Sequence, residues 1–199
     1  MNRWKDLPVF SSILVAMNVI IYIICLFRGR ELYALGNLNA YDVLINKEYG
    51  RIIWAMFLHS GTAHLFSNML ILFFMGAMIE KEIGHICYLL LYFLSGIGGN
   101  LLSLFVKVMN SDMSASIGAS GAVFGLDGVL LAMVLLSGRK MQSVTMGRVM
   151  AMIVLSLYSG FSGSNIDNAA HVGGLICGFI MAVLLYHPLR SYHRDTSGV

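Results

Sequence analysis

The sequence predicts an all-α membrane protein, a bundle of six transmembrane helices, on three observations. Hydrophobic residues make up 58% of the 199 residues and charged residues only 12%, whereas soluble domains carry about 25% charged residues. The mean hydropathy is +0.78. The apolar residues also fall into runs close to the roughly 20 residues that cross a bilayer core as a helix. The length suits a single domain, and we expect residues 1–199 to form one.

Six apolar runs predict the membrane spans, at residues 9–27, 63–79, 86–106, 120–136, 144–158 and 169–186. The fifth run is the shortest and the least well defined. The sixth is predicted to end at His187-Pro188, because proline cannot donate the backbone hydrogen bond of a continuing helix. The first run could instead be a signal peptide. Signal cores have about 7–15 apolar residues and precede a small-residue cleavage site, and neither feature fits here.

Residues 28–62 form the only long polar connection. This connection contains aromatic residues that favour the headgroup zone of a bilayer, namely Tyr33, Tyr41, Tyr49 and Trp54. A structureless loop of such length is unusual in a compact domain. We therefore expect the connection to fold back on the membrane surface.

Basic residues in the short loops orient the predicted spans. Lys and Arg favour the cytoplasmic side, which places two tails, residues 1–8 and 188–199, in the cytoplasm. The second, fourth and sixth spans then begin at the outer face. His64, Ser120 and His171 are therefore predicted to lie at similar depth.

Charge and cysteine content exclude several other functions. The net charge of +3 is spread over many loops and does not form the basic patch of a nucleic-acid-binding protein. Cys25, Cys87 and Cys177 lie in apolar runs without the paired spacing of a metal site. We expect three free thiols, and no metal or cofactor.

Polar side chains inside a bilayer are costly, so each one needs a reason. A serine hydroxyl becomes a nucleophile when a base within about 3 Å takes its proton, and an imidazole suits that task. The oxyanion that forms on attack needs fixed hydrogen-bond donors. Ser120 as nucleophile, His171 as base, and His64, Asn68 and the Ser120 N–H as donors would fill these roles.

Two pairs of glycines would let the helices that carry the serine and the histidine approach closely. Gly121 and Gly125 in the fourth span, with Gly174 and Gly178 in the sixth, form small-xxx-small faces. Taken alone, each feature has a plainer explanation. A membrane serine usually bonds the carbonyl one turn back, and glycine pairs usually serve packing. The coincidence of depth and spacing across three helices favours a site.

Three further polar residues lie near the predicted site. Asp127 follows Ser120 by seven residues, or about 10.5 Å along a helix, too far to orient His171. We expect its carboxyl to be hydrogen-bonded to a neighbouring span, with a proton or water role as the alternative. Asp167 and Asn168 are expected to be solvated loop residues, with a transient role as a third catalytic member as the alternative.

Three motifs in this order resemble the rhomboid intramembrane serine proteases. They are His64-x-x-x-Asn68, Gly118-Ala119-Ser120-Gly121 and Ala170-His171-x-x-Gly174-x-x-x-Gly178. The resemblance covers about residues 9–187. It implies a rhomboid-like bundle of six transmembrane helices with a long outer-face loop between the first two. It also implies a Ser–His dyad without a third acid, in a water-filled cavity open to the outer face.

The resemblance assigns roles to individual residues. Ser120 takes the nucleophile position, His171 the base position, and His64, Asn68 and Gly118 the oxyanion site. Glu80, Arg51 and His59 match structural positions. Phe124 stands where many relatives have tyrosine, and its ring is expected to stack on His171. Gly50 stands where a tryptophan often precedes the loop arginine.

The same resemblance implies a substrate class and a location. Substrates would be single-span membrane proteins, cut near the outer face after a small residue, with the fifth span and its loop moving to admit them. The compact form suggests a bacterial cytoplasmic membrane. The alternative is an inactive rhomboid-like protein that binds or traffics membrane clients, although such relatives lack the serine or the histidine.

Other membrane activities fit less well. A metal-dependent intramembrane protease needs His-Glu-x-x-His, which is absent from the sequence. An aspartyl protease needs two intramembrane aspartates, and only Asp127 qualifies. A transporter would carry more charges along its pathway or an inverted repeat.

Overall fold

The computed structural model describes residues 7–137, 147, 150–151, 153–154, 156, 158 and 166–197. Within them, four helices are long and apolar enough to cross a membrane, and a shorter apolar helix covers Ser120–Leu136. The prediction of an all-α membrane bundle is confirmed. The predicted fifth span, 144–158, lies largely outside the described residues, so the count of six spans stays a prediction.

The first helix, α1 (Val9–Arg28), is capped by a residue 70 positions away. The first N–H groups of a helix lack intrahelical partners, and the N-cap residue Pro8 makes no side-chain cap bond. Glu80 accepts the N–H groups of Phe10 at 2.8 Å and Ser11 at 2.9 Å, and the Ser11 hydroxyl at 2.7 Å. A fully buried carboxylate therefore anchors the start of α1.

The long connection folds into short helices rather than an irregular loop. These are α2 (Arg30–Gly36), α3 (Ala40–Leu44), α4 (Arg51–Trp54) and a 3₁₀ turn at Ala55–Phe57. The buried Arg51 holds them together. Its guanidinium donates to the carbonyls of Ala34 at 2.7 Å and Asn37 at 3.0 Å, and it pairs with Glu48 and Asp42.

A single residue separates the next two long helices, α5 (Thr62–Ile83) and α6 (His85–Met109). Gly84 has φ +84°, a left-handed conformation in which glycine commonly ends a helix. The predicted second and third spans are therefore correctly placed, and both are longer than expected. Glu80 lies near this turn and also contacts the His85 ring nitrogen at 2.6 Å.

The remaining long helices are α7 (Ser120–Ser137) and α8 (Asn168–Ser197). Helix α7 lies at the centre of the bundle, and almost all of its residues from 121 to 134 are buried. The apolar part of α8 that could cross a membrane, Asn168–Leu185, agrees with the predicted sixth span. The prediction that the helix itself ends at His187-Pro188 is wrong, because α8 continues through the proline to Ser197. Proline removes only one donor to the preceding turn, and a helix can continue past that point with a bend.

Asp127 is hydrogen-bonded to the predicted fifth span, as expected. The Ser156 hydroxyl donates to Asp127 Oδ2 at 2.6 Å, which links α7 to one of the described residues between 147 and 158. The three cysteines are free thiols, in agreement with the sequence.

Candidate active site

Ser120 and His171 meet at the ends of two packed helices. Ser120 is the first residue of α7, and His171 lies in the first turn of α8. The distance between Ser120 Oγ and His171 Nε2 is 2.9 Å. When Nε2 is the unprotonated ring nitrogen, the serine hydroxyl donates to it. This is the arrangement of a nucleophile with its general base.

Phe124 fixes the plane of the His171 ring. It lies one turn after Ser120 on α7, and the two rings are stacked with centroids 4.2 Å apart and planes at 8°. Both side chains are buried. The ring at this position therefore orients the imidazole without a hydroxyl group.

Gly118 lets the backbone before α7 pass close to His64. Its φ is +140°, a conformation that favours glycine. A Cβ atom there would lie 2.9 Å from His64 Cε1 and Nε2, so a larger residue would displace the ring. The Gly118 N–H donates to the Ala55 carbonyl at 2.9 Å, which ties this backbone to the 3₁₀ turn.

Asn68 lies one turn after His64 on α5, and its side chain is buried. Asn68 Nδ2 donates to the His64 carbonyl at 2.9 Å, and His64 Nδ1 contacts Ser60 Oγ at 3.1 Å. An amide nitrogen carries two donors, so Asn68 retains one for a ligand. Sequence reasoning placed His64 and Asn68 on one face, and the structure brings both to the same cavity as Ser120.

That cavity has a volume of about 1300 Å³. It lies between α5, the segment before α7 and the beginning of α8. Polar side chains supply much of its lining, among them Ser60, His64, Asn68, Ser120, Ser156, Asp167 and His171. A cavity of this size, with several polar groups in its lining, has room for water.

The glycine pairs bring the backbones of α7 and α8 into contact. A Cβ atom on Gly174 would collide with the Gly121 carbonyl, and one on Gly178 would collide with the Gly125 carbonyl. Close approach of this kind is what small residues allow between membrane helices. It holds the first turns of α7 and α8 near enough for Ser120 and His171 to bond.

A third helix takes part in this packing, which the sequence analysis missed. A Cβ atom on Gly99 of α6 would lie 2.5 Å from the Ala170 carbonyl, and one on Gly173 would lie 3.1 Å from the Gly98 carbonyl. The run Gly96-Ile97-Gly98-Gly99 was the available signal. Helix α6 therefore supports α8 directly behind His171.

Asp167 lies in the loop before α8, as expected, but it is only partly exposed and its carboxylate is hydrogen-bonded within the protein rather than solvated. Its carboxylate accepts hydrogen bonds from the hydroxyls of Ser103 and Ser116 and from the N–H of Ala170. Asn168 is exposed, as expected, but it is the first residue of α8 and not a loop residue. Nothing in the local sequence indicates the two serine contacts, because Ser103 and Ser116 lie more than 50 positions away.

His59 lies beneath the site and is completely buried. Its ring meets that of His64 edge to face, with centroids 5.1 Å apart. Burial, and secondly the neighbouring His64 imidazole, lower the pKa of His59 from 6.5 to about 3. The ring is therefore neutral at physiological pH. The Tyr33 hydroxyl donates to the backbone carbonyl of His59 at 2.8 Å.

The structure combines helices long enough to span a membrane with a hydrogen-bonded serine and histidine in a cavity that has polar side chains in its lining. These features define the class of helical integral membrane proteins with a buried polar site. The family model described as "Rhomboid domain" matches residues 46–188. The chain belongs to the rhomboid family.

Curated relatives cover most of the chain. It is 36% identical over 187 residues to Rhomboid protease GluP of Bacillus subtilis (strain 168), a match that covers 91% of this chain and 36% of that protein. It is 36% identical over 170 residues to RHOMBOID-like protein 4 of Arabidopsis thaliana, with coverages of 84% and 42%. It is 32% identical over 176 residues to Rhomboid protease AarA of Providencia stuartii, with coverages of 76% and 62%. The chain thus spans 36–62% of the length of these relatives.

Proposed function

We propose that this chain is an intramembrane serine protease that hydrolyses peptide bonds in or near transmembrane segments of membrane-protein substrates. The observation that carries the proposal is the 2.9 Å contact between Ser120 Oγ and His171 Nε2. The contact lies in a polar cavity of a membrane bundle. Two relatives, from Bacillus subtilis and Providencia stuartii, bear the name rhomboid protease, which supports the same activity.

In the first half-reaction, His171 Nε2 removes the hydroxyl proton as Ser120 Oγ attacks the substrate carbonyl carbon. The carbonyl oxygen becomes an oxyanion. His171 then returns the proton to the leaving amine, and an acyl-serine remains. In the second half-reaction a water molecule attacks the acyl carbon, with His171 again as base. Its product is the free carboxylate and regenerated Ser120.

The oxyanion would be stabilised by three donors on two helices. The N–H of Ser120 is at the start of α7, where no intrahelical partner exists. The free N–H of Asn68 and the ring of His64 supply the others, and Gly118 keeps the backbone close to that ring. Fixed donors in a secluded site are worth about 3–4 kcal/mol each in comparable enzymes.

The dyad needs no third acid for orientation in this proposal. The stacked Phe124 ring limits rotation of the imidazole plane, and the packing of α7 and α8 limits its translation. Glu80, Arg51 and His59 would act structurally, through the start of α1 and the long connection.

We propose the substrates and the location from the resemblance to rhomboid proteases. We expect single-span membrane proteins, cut near the outer face after a small residue, with both termini of the enzyme in the cytoplasm of a bacterial cell. The predicted fifth span would move to admit the substrate. No cofactor or metal is required by these steps.

The direct test is cleavage of a model transmembrane substrate by purified protein in detergent. Ser120→Ala and His171→Ala should abolish cleavage while the thermal unfolding curve stays unchanged. Ser12→Ala, an exposed serine on α1, is the matched control and should cleave normally. Equal cleavage by Ser120→Ala would overturn the proposal and leave the alternative, an inactive rhomboid-like protein that binds membrane clients.

A further inference from the structure

The carboxylate of Asp167 joins three parts of the chain at one point. Oδ2 accepts the hydroxyl of Ser103 on α6 and the hydroxyl of Ser116 in the segment before α7. Oδ1 accepts the N–H of Ala170 on α8 at 3.0 Å. The Asp167 carboxylate and its three partners are partly or fully buried. No other described carboxylate bridges the elements that carry Ser120 and His171.

Asp167 is placed to act on the first turn of α8. It directly precedes the helix, and its bond to the N–H three residues later is the usual bond of an N-cap residue. A negative charge also interacts favourably with a helix N-terminus. The capped residue, Ala170, is the immediate neighbour of His171. The bond therefore fixes the backbone from which the imidazole projects.

The second contact, to Ser116, fixes the backbone from which the nucleophile projects. Ser116 lies four residues before Ser120, and its own N–H and carbonyl pair with Leu38 at 2.8 and 2.9 Å. Lys107 holds the same segment by donating to Ser114 Oγ at 2.7 Å. Ser116 is thus anchored to the long connection and to α6, independently of α8.

The ionisation of Asp167 suits this bridging task. Burial tends to raise its pKa, but the hydrogen bonds from Ser103, Ser116 and the Ala170 N–H outweigh burial and hold the pKa below its ordinary value. A carboxylate that stays ionised can accept several hydrogen bonds at once, whereas an amide offers one acceptor oxygen.

We propose that Asp167 is a positioning residue, which clamps the start of α8 to α6 and to the segment before α7 and so sets the separation of Ser120 Oγ and His171 Nε2. The inference rests on the proposed function, because that separation matters only if the two atoms react. Asp167 acts on the backbone through its hydrogen bonds to Ser103, Ser116 and the Ala170 N–H. Its charge also interacts electrostatically with the His171 ring.

Removing the clamp should loosen one turn and leave the rest of α8 in place. The glycine contacts at Gly174 and Gly178 lie deeper in the bundle and do not involve Asp167. A displacement of about 1 Å in a catalytic group costs up to roughly 100-fold in rate. The loss should therefore fall on the chemical step and not on substrate binding.

The experiment compares Asp167→Ala with wild type and with Glu31→Ala. Glu31 is an exposed carboxylate in the first turn of α2, away from the cavity. We would measure kcat and KM for a model transmembrane substrate, and the rate at which a fluorophosphonate probe labels Ser120. In Asp167→Ala, kcat and the labelling rate should each fall about tenfold or more, with KM within about twofold of wild type. Glu31→Ala should stay within about twofold in all three quantities.

The two serines give an independent readout. The double variant Ser103→Ala/Ser116→Ala should also slow labelling, because the carboxylate loses both hydroxyl donors. The same double change in an Asp167→Ala background should cause no further loss, since groups that act as one unit are non-additive. A purely additive result would contradict the clamp.

Each remaining outcome has a defined meaning. Asp167→Ala that folds and labels like wild type overturns the inference. The inference is also overturned if Asp167→Ala loses activity only because it unfolds at a lower temperature, so that full activity is recovered when the assay is cooled. If Asp167→Ala does not fold, Asp167→Asn decides, with slowed labelling in a folded protein as the supporting result. If neither variant folds, the role is structural and the inference is wrong.

Failure of the proposed function would be visible separately, because the wild-type protein would then be labelled no faster than Ser120→Ala.

Discussion

Asn68 and Ser67 both donate a side-chain hydrogen bond to the carbonyl of His64, at 2.9 and 3.1 Å. The two residues differ in burial and in capacity. Asn68 is buried and carries a second N–H, whereas the Ser67 hydroxyl has only one hydrogen to donate. Substituting each residue in turn therefore distinguishes a role in supporting the helix turn from a role in binding an oxyanion.

Asn68→Ala should lower kcat by about 10- to 100-fold and leave residual activity, because one oxyanion donor of several is lost. KM should change little. Steady-state kinetics on the model transmembrane substrate measure both. Ser67→Ala, which removes the same contact with the His64 carbonyl, should lose far less. Equal losses in the two variants would assign the effect to the helix turn.

Glu80→Gln should destabilise the protein by about 3 kcal/mol, because a buried carboxylate that accepts several charge-assisted bonds is replaced by a group with one acceptor oxygen. At least one of the two N–H groups at the start of α1 would then lack its acceptor. Unfolding in detergent with increasing SDS measures the change.

Glu82→Gln is the control for this prediction. Glu82 lies two residues further along α5 and is partly exposed. Its substitution should shift the unfolding midpoint only slightly, as surface changes usually do. A comparable shift in both variants would show that the loss of charge, and not the capping of α1, decides the outcome.

At the scale of elements, the contact between α7 and α8 brings together residues from distant parts of the chain. The two helices approach most closely at glycines. A methyl group added at such a glycine has two opposing effects on the stability of the protein. Alanine favours a helix over glycine by about 1 kcal/mol. In a tightly packed interface, the same methyl group forces the backbones apart at a cost of about 1–3 kcal/mol.

Gly178→Ala should therefore be net destabilising, by about 1–2 kcal/mol, and should reduce cleavage as α8 moves away from α7. A Cβ atom there would collide with the Gly125 carbonyl. Thermal unfolding and substrate cleavage measure the two effects. Gly61→Ala is the control, because its Cβ atom would meet nothing within 4 Å. A more stable Gly178→Ala protein would show that the helices are less tightly packed than described.

At the scale of the whole molecule, acid should unfold the protein through His59. The folded pKa of about 3 is depressed from 6.5, so the unfolded chain binds a proton that the folded protein does not. Stability is then fully present above pH 6.5 and is lost progressively as the pH falls towards 3. The loss should reach about 2 kcal/mol at pH 5. Unfolding at pH 7 and pH 5 measures it, and His59→Gln should reduce the difference by about this amount.

The predicted orientation can be tested with single cysteines in a variant that lacks the three native ones. Lys47 lies in the long connection and Lys81 near the turn between α5 and α6, and both are exposed. A membrane-impermeant maleimide added to intact cells should label Lys47→Cys and not Lys81→Cys. Labelling of Lys81→Cys alone would invert the orientation, and labelling of both would indicate that they share one side.

Several features followed from local sequence alone. Long apolar runs are visible in composition, because the bilayer demands apolar side chains wherever a helix crosses it. The all-α membrane class and the positions of α1, α5, α6 and α7 were predictable for that reason. His64 and Asn68 could be placed on one helix face from their spacing of four. Ser120 and His171 stood out because polar residues in apolar runs are rare.

The tertiary structure decided what depends on contacts between distant residues. The cap of α1 by Glu80, the bridge formed by Asp167 and the approach of Gly99 to Ala170 join positions separated by some 50 to 70 residues. Such contacts leave no periodic signal in the sequence, since either partner alone is an ordinary residue. The helix through Pro188 was likewise unpredictable from a local rule. Sequence determined which residues could react, and packing determined how close together they lie.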